Sequence, residues 1–487
     1  MNLKKQHISL VLIAALILGF GGAYVGVQVA QSDLSQQTKE LVTGDSSEKE
    51  TPEVTGETPE NMDKVVQAYS LIKENYLKDV KDQQLIEGAV QGMLDTLEDP
   101  YSTYMDVETM KSFNDTIESS FEGIGAEVSM VNNTVTIIAP IKDSPAEESG
   151  LRPNDQILSV DDKSVQGLDL FEAVEKIRGK KGTEVVLEIK RPGVSEPFDV
   201  TITRDDIPLE TVYSEMKTID GKKTGVIEIT TFSENTAADF KKQLTKLEED
   251  GMEGLVIDVR GNPGGLLNSV EAILKEFIPK DMPYVQIEDG EGKKTPYHSE
   301  LEEKKPYPIS VLINEGSASA SEILAVAMKE AGYDVVGTKS YGKGTVQKAI
   351  PFGDGSTIKL TFFKWLSPEG NWIHEKGVKP TVKVEQPDYF YTNPIQIEEP
   401  LGYDETGENI KNIQLMLKGL GYAPGRTDGY FSKATAEAVE KFQTDSDLKV
   451  TSEVDEKTAG LIESKLVEKI RSGKNDKQQE KALQSLY

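Results

Sequence analysis

Strands alternate with helices between residues 206 and 395, and this alternation constrains the fold more than any other feature of the sequence. The segments with strand character are short and apolar, and they are TGVIEITTF, GLVIDVR, ISVLIN and DVVGT. The spacing of apolar residues predicts helices over 237–249, after Gly265 and over 320–330. This order of elements is typical of an α/β domain.

The rest of the sequence divides into segments of different character, so we predict a multidomain protein with its α/β core at 206–395. A chain of 487 residues is also too long for a single domain. The other predicted parts are an N-terminal helical segment at 61–115, a β-rich domain at 116–205, a module of three helices at 401–470 and a charged tail at 471–487. Asp99-Pro100 interrupts the helical pattern of the N-terminal segment.

Residues 1–30 have the character of a targeting or anchoring segment. Lys4 and Lys5 precede an uncharged apolar run from Ile8 to Ala30, which as a helix would cross a hydrocarbon core of about 30 Å. Positive residues stay on the cytoplasmic side, so the rest of the chain is predicted to be extracytoplasmic. The run is either a membrane anchor or a cleaved signal peptide. The acidic stretch at 31–60 is predicted to be a disordered linker.

Composition excludes several classes of function. The chain has 54 Lys and Arg against 83 Asp and Glu, and its net charge of −29 argues against a nucleic-acid partner. The absence of cysteine excludes disulfides, thiolate metal sites and cysteine nucleophiles. There are three histidines, too few and too scattered to suggest a metal centre or a His-based triad, and we interpret His298 and His374 as structural. No cofactor and no metal is predicted.

A glycine-rich turn follows the strand GLVIDVR and runs from Asp258 to Gly265. Glycines let the backbone approach a ligand closely, and amide groups at the start of the next helix are available to an anion. This is a suitable place to stabilise an oxyanion. The same residues also fit a plain turn between a strand and a helix.

A small-residue segment, 314–322, lies between the strand ISVLIN and the helix at 320–330. A serine at such a junction can present its hydroxyl above a helix N-terminus, although the sequence is not literally G-x-S-x-G. Ser319 and Glu322 have the spacing of a capping box, so helix capping is the alternative interpretation. Ser317 and Ser321 flank Ser319, and no chemistry is assigned to them.

Lys343 lies between two glycines in the segment SYGKGTVQ. The segment is not a phosphate-binding loop, because Gly344 occupies the position where that loop needs Ser or Thr. A lysine can act as a base for a serine if its amine is neutral, and burial lowers the pKa of a lysine in that direction. The alternative is an ordinary solvated lysine on the surface.

Together these segments resemble the carboxy-terminal processing, or tail-specific, serine proteases. The resemblance rests on DVRGNPGGLL, INEGSASASEI, SYGKGTVQ and LSPEGNWIHEKGVKPTV, which occur in the order found in that family. It implies an endopeptidase with Ser319 as nucleophile, Lys343 as general base and Gln347 as a residue that assists the lysine. It also implies that the oxyanion amides belong to Ala320 and to one of two glycines, Gly264 or Gly265.

The β-rich domain resembles a PDZ domain of the kind found in bacterial proteases, inserted ahead of the protease core. The segments FEGIGAEV and SPAEESGLRPNDQILSVD carry this resemblance. It implies that a peptide adds to the domain as a strand and that a loop of backbone amides captures its C-terminal carboxylate. The residues of this loop are Gly123, Ile124, Gly125 and Ala126.

The C-terminal module resembles the three-helix peptidoglycan-binding domains of cell-wall enzymes. DGYFSKATAEAVEKFQ and VDEKTAGLI carry this resemblance, which leaves open whether the module binds peptidoglycan or serves a protein contact. The combined expectation is an extracytoplasmic serine endopeptidase that acts on exposed C-terminal tails and forms a homodimer through residues 61–115. A cell-wall hydrolase and a non-catalytic scaffold are the alternatives.

Overall fold

We describe the fold from a computed structural model that covers residues 61–487 apart from 119, 132, 133, 169, 396 and 398. The apolar run at 8–30 and the acidic linker at 31–60 lie outside the described residues, so the predictions made for them are untested. In the part of the chain that is described, no helix is both long enough and apolar enough to cross a membrane.

The N-terminal segment consists of three helices and one short strand. These are α1 (Asp63–Asn75), α2 (Asp82–Asp95), β1 (Thr103–Met105) and α3 (Val107–Ile117). The break predicted at Asp99-Pro100 falls between α2 and β1. Helix α3 begins where the Asp106 carboxylate accepts a hydrogen bond of 2.8 Å from the Thr109 amide, a typical N-cap.

The β-rich domain forms a six-stranded sheet with two helices. Its elements are β2 (Ser120–Gly123), β3 (Ala126–Val131), β4 (Thr134–Pro140), α4 (Pro145–Glu148), β5 (Gln156–Val160), β6 (Lys163–Ser164), α5 (Leu170–Ile177), β7 (Glu184–Lys190), β8 (Phe198–Thr203) and β9 (Asp205–Pro208). The sheet order is β3-β4-β5-β7-β8 with β6 on β5, so β3 is an edge strand. Strand β9 pairs with β2 and extends to Pro208, so the domain ends slightly later than the predicted residue 205.

The α/β core contains a second six-stranded sheet and three helices. Its elements are β10 (Val212–Ile219), β11 (Lys222–Ile229), α6 (Thr236–Glu249), β12 (Gly254–Asp258), α7 (Leu267–Leu274), β15 (Ile309–Ile313), α8 (Ala320–Glu330), β16 (Asp334–Gly337) and β19 (Val382–Lys383). The sheet order is β10-β11-β12-β15-β16-β19, and the strands from β11 onward are parallel. Every residue of β12 and β15 is buried, as expected for parallel strands that are covered on both faces.

A separate antiparallel sheet lies beside the α/β core and holds the lysine segment. It contains β13 (Val285–Glu288), β14 (Lys294–Tyr297), β17 (Thr345–Pro351) and β18 (Thr357–Leu366). The long strand β18 pairs with β17 and β13 and also with β1 of the N-terminal segment. The N-terminal segment is therefore part of the sheet that carries Gln347, and Lys343 lies just ahead of strand β17 of this sheet.

The C-terminal module has three helices, as predicted, around a core that includes Phe431 and Phe442. The helices are α9 (Glu408–Leu420), α10 (Lys433–Asp445) and α11 (Glu456–Arg471). Beyond them, the predicted charged tail contains a further helix, α12 (Lys477–Ser485). Ala482 and Leu483 of α12 pack against Val256 and other residues on one face of the α/β sheet.

Candidate active site

The glycine-rich turn after β12 is held in a conformation that requires glycine. Gly264 and Gly265 have φ values of 110° and 142°, and a Cβ at Gly265 would lie 2.0 Å from the Phe232 carbonyl oxygen. Asn262 is fully buried, and its Nδ2 donates to the Ile229 carbonyl at 2.8 Å. Its Oδ1 accepts from the Gly264 amide at 2.8 Å. The turn is therefore fixed to β11 and follows β12 directly.

Ser319 lies at the N-cap of α8 with φ of 52° and ψ of −113°. This is an uncommon backbone conformation for a residue other than glycine, and strain of this kind concentrates at functional sites. A Cβ built on Gly264 would lie 2.8 Å from the Ser319 Cβ and 3.1 Å from the Ala320 amide nitrogen. The predicted nucleophile and both predicted sources of oxyanion amides thus lie in contact.

The serines on either side of Ser319 connect the serine segment to the glycine turn. The Ser317 hydroxyl donates to the Val259 carbonyl at 2.7 Å. The Ser321 hydroxyl donates to the Asn262 carbonyl at 2.9 Å, and the Ala318 amide donates to the same carbonyl at 3.0 Å. Both hydroxyls therefore serve to position the loops.

Glu322 joins the serine segment to the lysine segment. Its Oε2 accepts from the amides of Ser319 and Lys343, at 2.9 and 2.8 Å. Its Oε1 accepts from the Ser340 hydroxyl at 2.5 Å and from the Gly342 amide at 2.6 Å. Burial raises the pKa of this carboxyl, and the four donors oppose that rise. The sequence predicted the bond to Ser319 as half of a capping box, but the three bonds to residues 340–343 depend on tertiary structure.

Lys343 is completely buried, contrary to the alternative interpretation of a surface lysine. Its Nζ lies 5.0 Å from the centre of the Tyr101 ring. Burial, and to a lesser degree the charge of nearby Lys359, lowers the pKa of Lys343 to about 7, although the charges of Asp99 and Glu322 oppose the change. A substantial fraction of the lysine is therefore neutral near pH 7 and able to accept a proton.

Indole side chains hold the backbone carbonyls of Lys343 and of the residue that follows it. Trp365 Nε1 donates to the Lys343 carbonyl at 2.9 Å, and Trp372 Nε1 donates to the Gly344 carbonyl at 2.8 Å. The Gly344 amide donates to His374 Nδ1 at 3.2 Å, and the His374 ring stacks on Trp372 at 4.9 Å. The structural role predicted for His374 agrees with these contacts.

Gln347 is fully buried on β17, four residues after the lysine. Its Nε2 donates to the hydroxyls of Thr345 and Thr361, at 2.9 and 3.0 Å. Its Oε1 has no hydrogen-bond partner among the described residues. The amide oxygen is therefore available to accept a hydrogen bond from a buried amine.

Three residues of this neighbourhood were not predicted as functional. Asp99 and Tyr101 come from the N-terminal segment, and Lys359 comes from β18, where it faces Thr103 of β1. The sequence marked Asp99 only as part of a helix-breaking pair. No local signal indicates these residues, because their proximity to Lys343 depends on the pairing of β1 with β18.

The predicted peptide-binding residues run from the end of β2 through a short loop to the start of β3. The Ile124 carbonyl accepts from the Ala146 amide at 2.8 Å, and the Gly125 carbonyl accepts from the Ser144 hydroxyl at 2.8 Å. Gly123 ends β2, and Ala126 begins the edge strand β3. The loop is thus fixed through its carbonyl groups next to a strand edge that could receive a further strand.

Sequence profiles of known families match four parts of the chain. The profile of peptidase family S41 matches residues 223–384, which contain Ser319, Lys343 and Gln347. A PDZ domain matches residues 123–202, and a peptidoglycan binding domain matches residues 406–462. The profile of the activating protease CtpB N-terminal domain matches residues 16–109. These matches agree with the predicted fold class and order of domains.

Similar curated proteins extend over most of the chain. Carboxy-terminal processing protease CtpB of Bacillus subtilis (strain 168) is 49% identical over 486 residues, which cover 100% of both chains. Carboxy-terminal processing protease CtpA of the same organism is 44% identical over 425 residues, covering 87% of this chain and 90% of that protein. A probable CtpA-like serine protease of Staphylococcus epidermidis is 39% identical and covers 84% of this chain and 83% of that protein.

Proposed function

Since the chain belongs to the carboxy-terminal processing serine proteases of peptidase family S41, we propose that it cleaves polypeptides with Ser319 as nucleophile and Lys343 as general base. The observation that carries this proposal is the environment of Lys343. The lysine is fully buried, its pKa is lowered to about 7, and its amide shares the Glu322 carboxylate with the amide of Ser319.

The proposed reaction begins when the Ser319 hydroxyl attacks the carbonyl carbon of the scissile peptide bond. The neutral amine of Lys343 accepts the hydroxyl proton, and the resulting ammonium then protonates the leaving amine. This leaves an acyl-enzyme on Ser319. A water molecule attacks the ester, the lysine again accepts a proton, and hydrolysis releases the new C-terminus and restores the serine.

Backbone amides near Ser319 stabilise the tetrahedral intermediates in this mechanism. The candidates are the amides of Gly264, Gly265 and Ala320. Because the Gly264 amide already donates to Asn262, we assign the role to Gly265 and Ala320. Ala320 is the first residue of α8, and amides at a helix N-terminus have no partner within the helix. Preorganised donors of this kind contribute strongly to acyl transfer.

The PDZ domain is the proposed recognition site for the C-terminal tail of the substrate. The edge strand β3 offers main-chain groups for a peptide that adds as an antiparallel strand. The loop from Gly123 to Ala126 lies at the start of this strand, where the terminal carboxylate of such a peptide would bind. Recognition and cleavage would then take place at two sites, since the PDZ domain binds the C-terminal tail and Ser319 attacks the scissile bond.

The N-terminal segment has an exposed apolar face that we assign to a homodimer. Val66 and Ile86 are 62% and 57% exposed on α1 and α2, and an apolar groove of about 530 Å³ runs between the two helices. Large exposed apolar patches are typical of interaction sites. The same two helices of a second copy offer a surface of the same chemistry, as expected for a twofold interface.

We assign the protein to the extracytoplasmic side of the membrane, held by an anchor at residues 1–30 or released from it. The support is the apolar run after Lys4 and Lys5. The peptidoglycan binding domain at 406–462 agrees with a location at the cell wall. Fractionation of cells into cytoplasm, membrane and wall, with detection of the protein in each fraction, would test this assignment.

Cleavage of an unstructured protein by the full chain tests the proposed mechanism. Wild type is compared with Ser319→Ala and Lys343→Ala in the presence of a chelator, and Lys339→Ala serves as a control because Lys339 is an exposed lysine of the same region. We expect cleavage by wild type and by the control only. Cleavage by the Ser319 or Lys343 variant would refute the assignment, and loss of wild-type activity with chelator would point to a metal-dependent hydrolase.

A further inference from the structure

Asp99 connects the N-terminal segment to the sheet that carries the proposed base. Its Oδ2 accepts hydrogen bonds from the hydroxyls of Ser102 and Thr361, both at 2.6 Å. Its Oδ1 accepts from the Tyr101 amide at 3.1 Å. Ser102 also accepts from the Thr361 amide at 3.1 Å, so the contact between the two segments includes backbone and side chain.

The bond from Thr361 to Asp99 determines the orientation of the Gln347 amide. A threonine hydroxyl has one proton, and here the proton is donated to the Asp99 carboxylate, which can only accept. Thr361 Oγ1 must therefore accept from Gln347, and it does so from Nε2 at 3.0 Å. The amide nitrogen of Gln347 faces the threonines, and the oxygen is left buried with no partner in the described part of the chain.

Asp99 also contributes to the electrostatic environment of Lys343. The charge of Asp99 raises the pKa of the lysine, as does Glu322, while burial and Lys359 lower it. Tyr101 covers the lysine amine, and Tyr341 and His374 are the other titratable side chains near Tyr101. Lys359 is itself buried, and its pKa is lowered to about 8.

We propose that Asp99 is a positioning residue for catalysis, which acts through Thr361 to hold Gln347 with its oxygen toward the Lys343 amine. The proposal rests on the proposed Ser-Lys mechanism. It means that the protease site is completed by the N-terminal segment, since the carboxylate is supplied from outside residues 206–395. Docking of β1 on β18 then serves catalysis as well as folding.

Substitutions at Asp99 and Thr361 test this proposal on the full chain with a fluorogenic peptide substrate. Asp99→Asn replaces one of the two acceptor oxygens with a donor. Because the Tyr101 amide requires the remaining oxygen, Thr361 would accept from the new amide and Gln347 would turn over. We expect kcat to fall about 100-fold, the effect of a small misplacement at an active site, with KM little changed. The acid limb of the kcat profile should also move to lower pH, because a negative charge near Lys343 is lost.

Substitutions at Thr361 separate the effect of its hydrogen bond to Asp99 from the effect of the Asp99 charge. Thr361→Val removes the hydroxyl and keeps Asp99, so kcat should fall by a similar factor without a shift of the acid limb to lower pH. Thr361→Ser restores the hydroxyl and should recover most of kcat. Asp106→Asn is the matched control, because Asp106 lies in the same segment and Asn is an equally good N-cap.

The outcomes distinguish this proposal from the proposed function. Activity of Ser319→Ala would refute the mechanism itself, whatever the Asp99 variants do. If Ser319→Ala is inactive while Asp99→Asn keeps the kcat and acid limb of wild type, Asp99 is not a positioning residue. If Asp99→Asn does not fold, as judged by circular dichroism, equal kcat values for Thr361→Val and Thr361→Ser would overturn the proposal.

Discussion

Arg260, whose side chain is 16% exposed, and the completely buried Lys343 are two cations of the protease core, and each lies near a carboxylate supplied by a segment outside that core. Arg260 binds Asp258 of β12 and Asp476 of the C-terminal tail, with N–O distances of 2.5 and 2.8 Å from Nη2. Lys343 lies in the field of Asp99 from the N-terminal segment, which contacts Thr361 and, through it, Gln347. The two cations nevertheless differ in their protonation.

The difference shows that burial, partners and the intrinsic basicity of the group together decide the charge of a cation, since a guanidinium stays protonated in proteins whereas a buried lysine can lose its proton. Burial acts to lower the pKa of Arg260, but Asp258 and Asp476 outweigh it and hold the pKa above its usual range. Two planar hydrogen-bonded pairs keep the guanidinium charged and inert. At Lys343 burial and the charge of Lys359 prevail over the charges of Asp99 and Glu322, and the pKa falls to about 7. The first arrangement holds structure, and the second produces a base.

Lys343→Met should have the largest effect of the substitutions considered, and the effect should be on activity. We expect kcat/KM to fall at least about 1000-fold, because the general base is lost. The free energy of unfolding should be unchanged or higher, since an apolar side chain replaces a buried amine that is only partly charged near pH 7. Cleavage assays and urea unfolding measure the two quantities, and a strongly destabilised variant would show that Lys343 is a structural cation.

Arg260→Met should lower the free energy of unfolding and leave most of the activity. Asp258 and Asp476 would be left as poorly solvated carboxylates, and loss of one partner of such a cluster costs about 3–5 kcal/mol. Urea unfolding of the full chain measures the loss. Asp476→Asn in the Arg260→Met background should recover part of it. Activity per folded molecule should fall far less than in Lys343→Met, and an equal fall would mean that both cations serve catalysis.

Activity and stability measured against pH should distinguish Lys343 from Arg260, because of these two side chains only the lysine titrates in an accessible range. Activity should rise as the pH increases through about 7, where Lys343 becomes neutral. A lysine in the unfolded chain has a pKa of about 10.4. Between the folded and unfolded pKa values the lysine is protonated in the unfolded chain and neutral in the folded protein. The free energy of unfolding therefore rises with pH in this range, by at most about 1.4 kcal/mol per pH unit.

The free energy of unfolding of Lys343→Met is measured against pH and subtracted from that of wild type. The difference separates the contribution of Lys343 from that of Lys359. The difference should grow from pH 7 to 10 in favour of wild type. The corresponding difference for Arg260→Met should stay constant, because the arginine remains charged throughout. A flat difference for Lys343→Met would mean that the lysine is charged in the folded protein at neutral pH.

Substitution of Lys181 should have the smallest effect on stability. It tests whether short ion-pair distances alone explain the stabilisation expected from Arg260. Its Nζ lies 2.6 Å from Asp205 and 3.0 Å from Asp206, distances similar to those at Arg260. The three side chains are about half exposed, and water screens such pairs. Lys181→Ala should cause no measurable change of melting temperature. A clear decrease would show that burial is not what distinguishes the Arg260 cluster.

Local sequence patterns predicted helices and strands well where the signals are strong. The helix predicted over 320–330 is α8, Ala320–Glu330, and the helix predicted over 237–249 is α6, Thr236–Glu249. The tail at 471–487 was predicted only as charged. Helix α12 within it is mostly polar, and the few apolar side chains that it buries are too sparse to produce a recognisable periodic pattern.

Short motifs of neighbouring residues were enough to predict the family, the order of the domains and the candidate residues Ser319, Lys343 and Gln347. The folded structure was needed to show that Lys343 is buried, that Glu322 joins its backbone to the Ser319 turn and that Asp99 contacts the neighbouring sheet. A pKa and the orientation of a buried amide depend on desolvation and on partners. These partners are brought together by strand pairing across more than half of the chain, which no local pattern encodes.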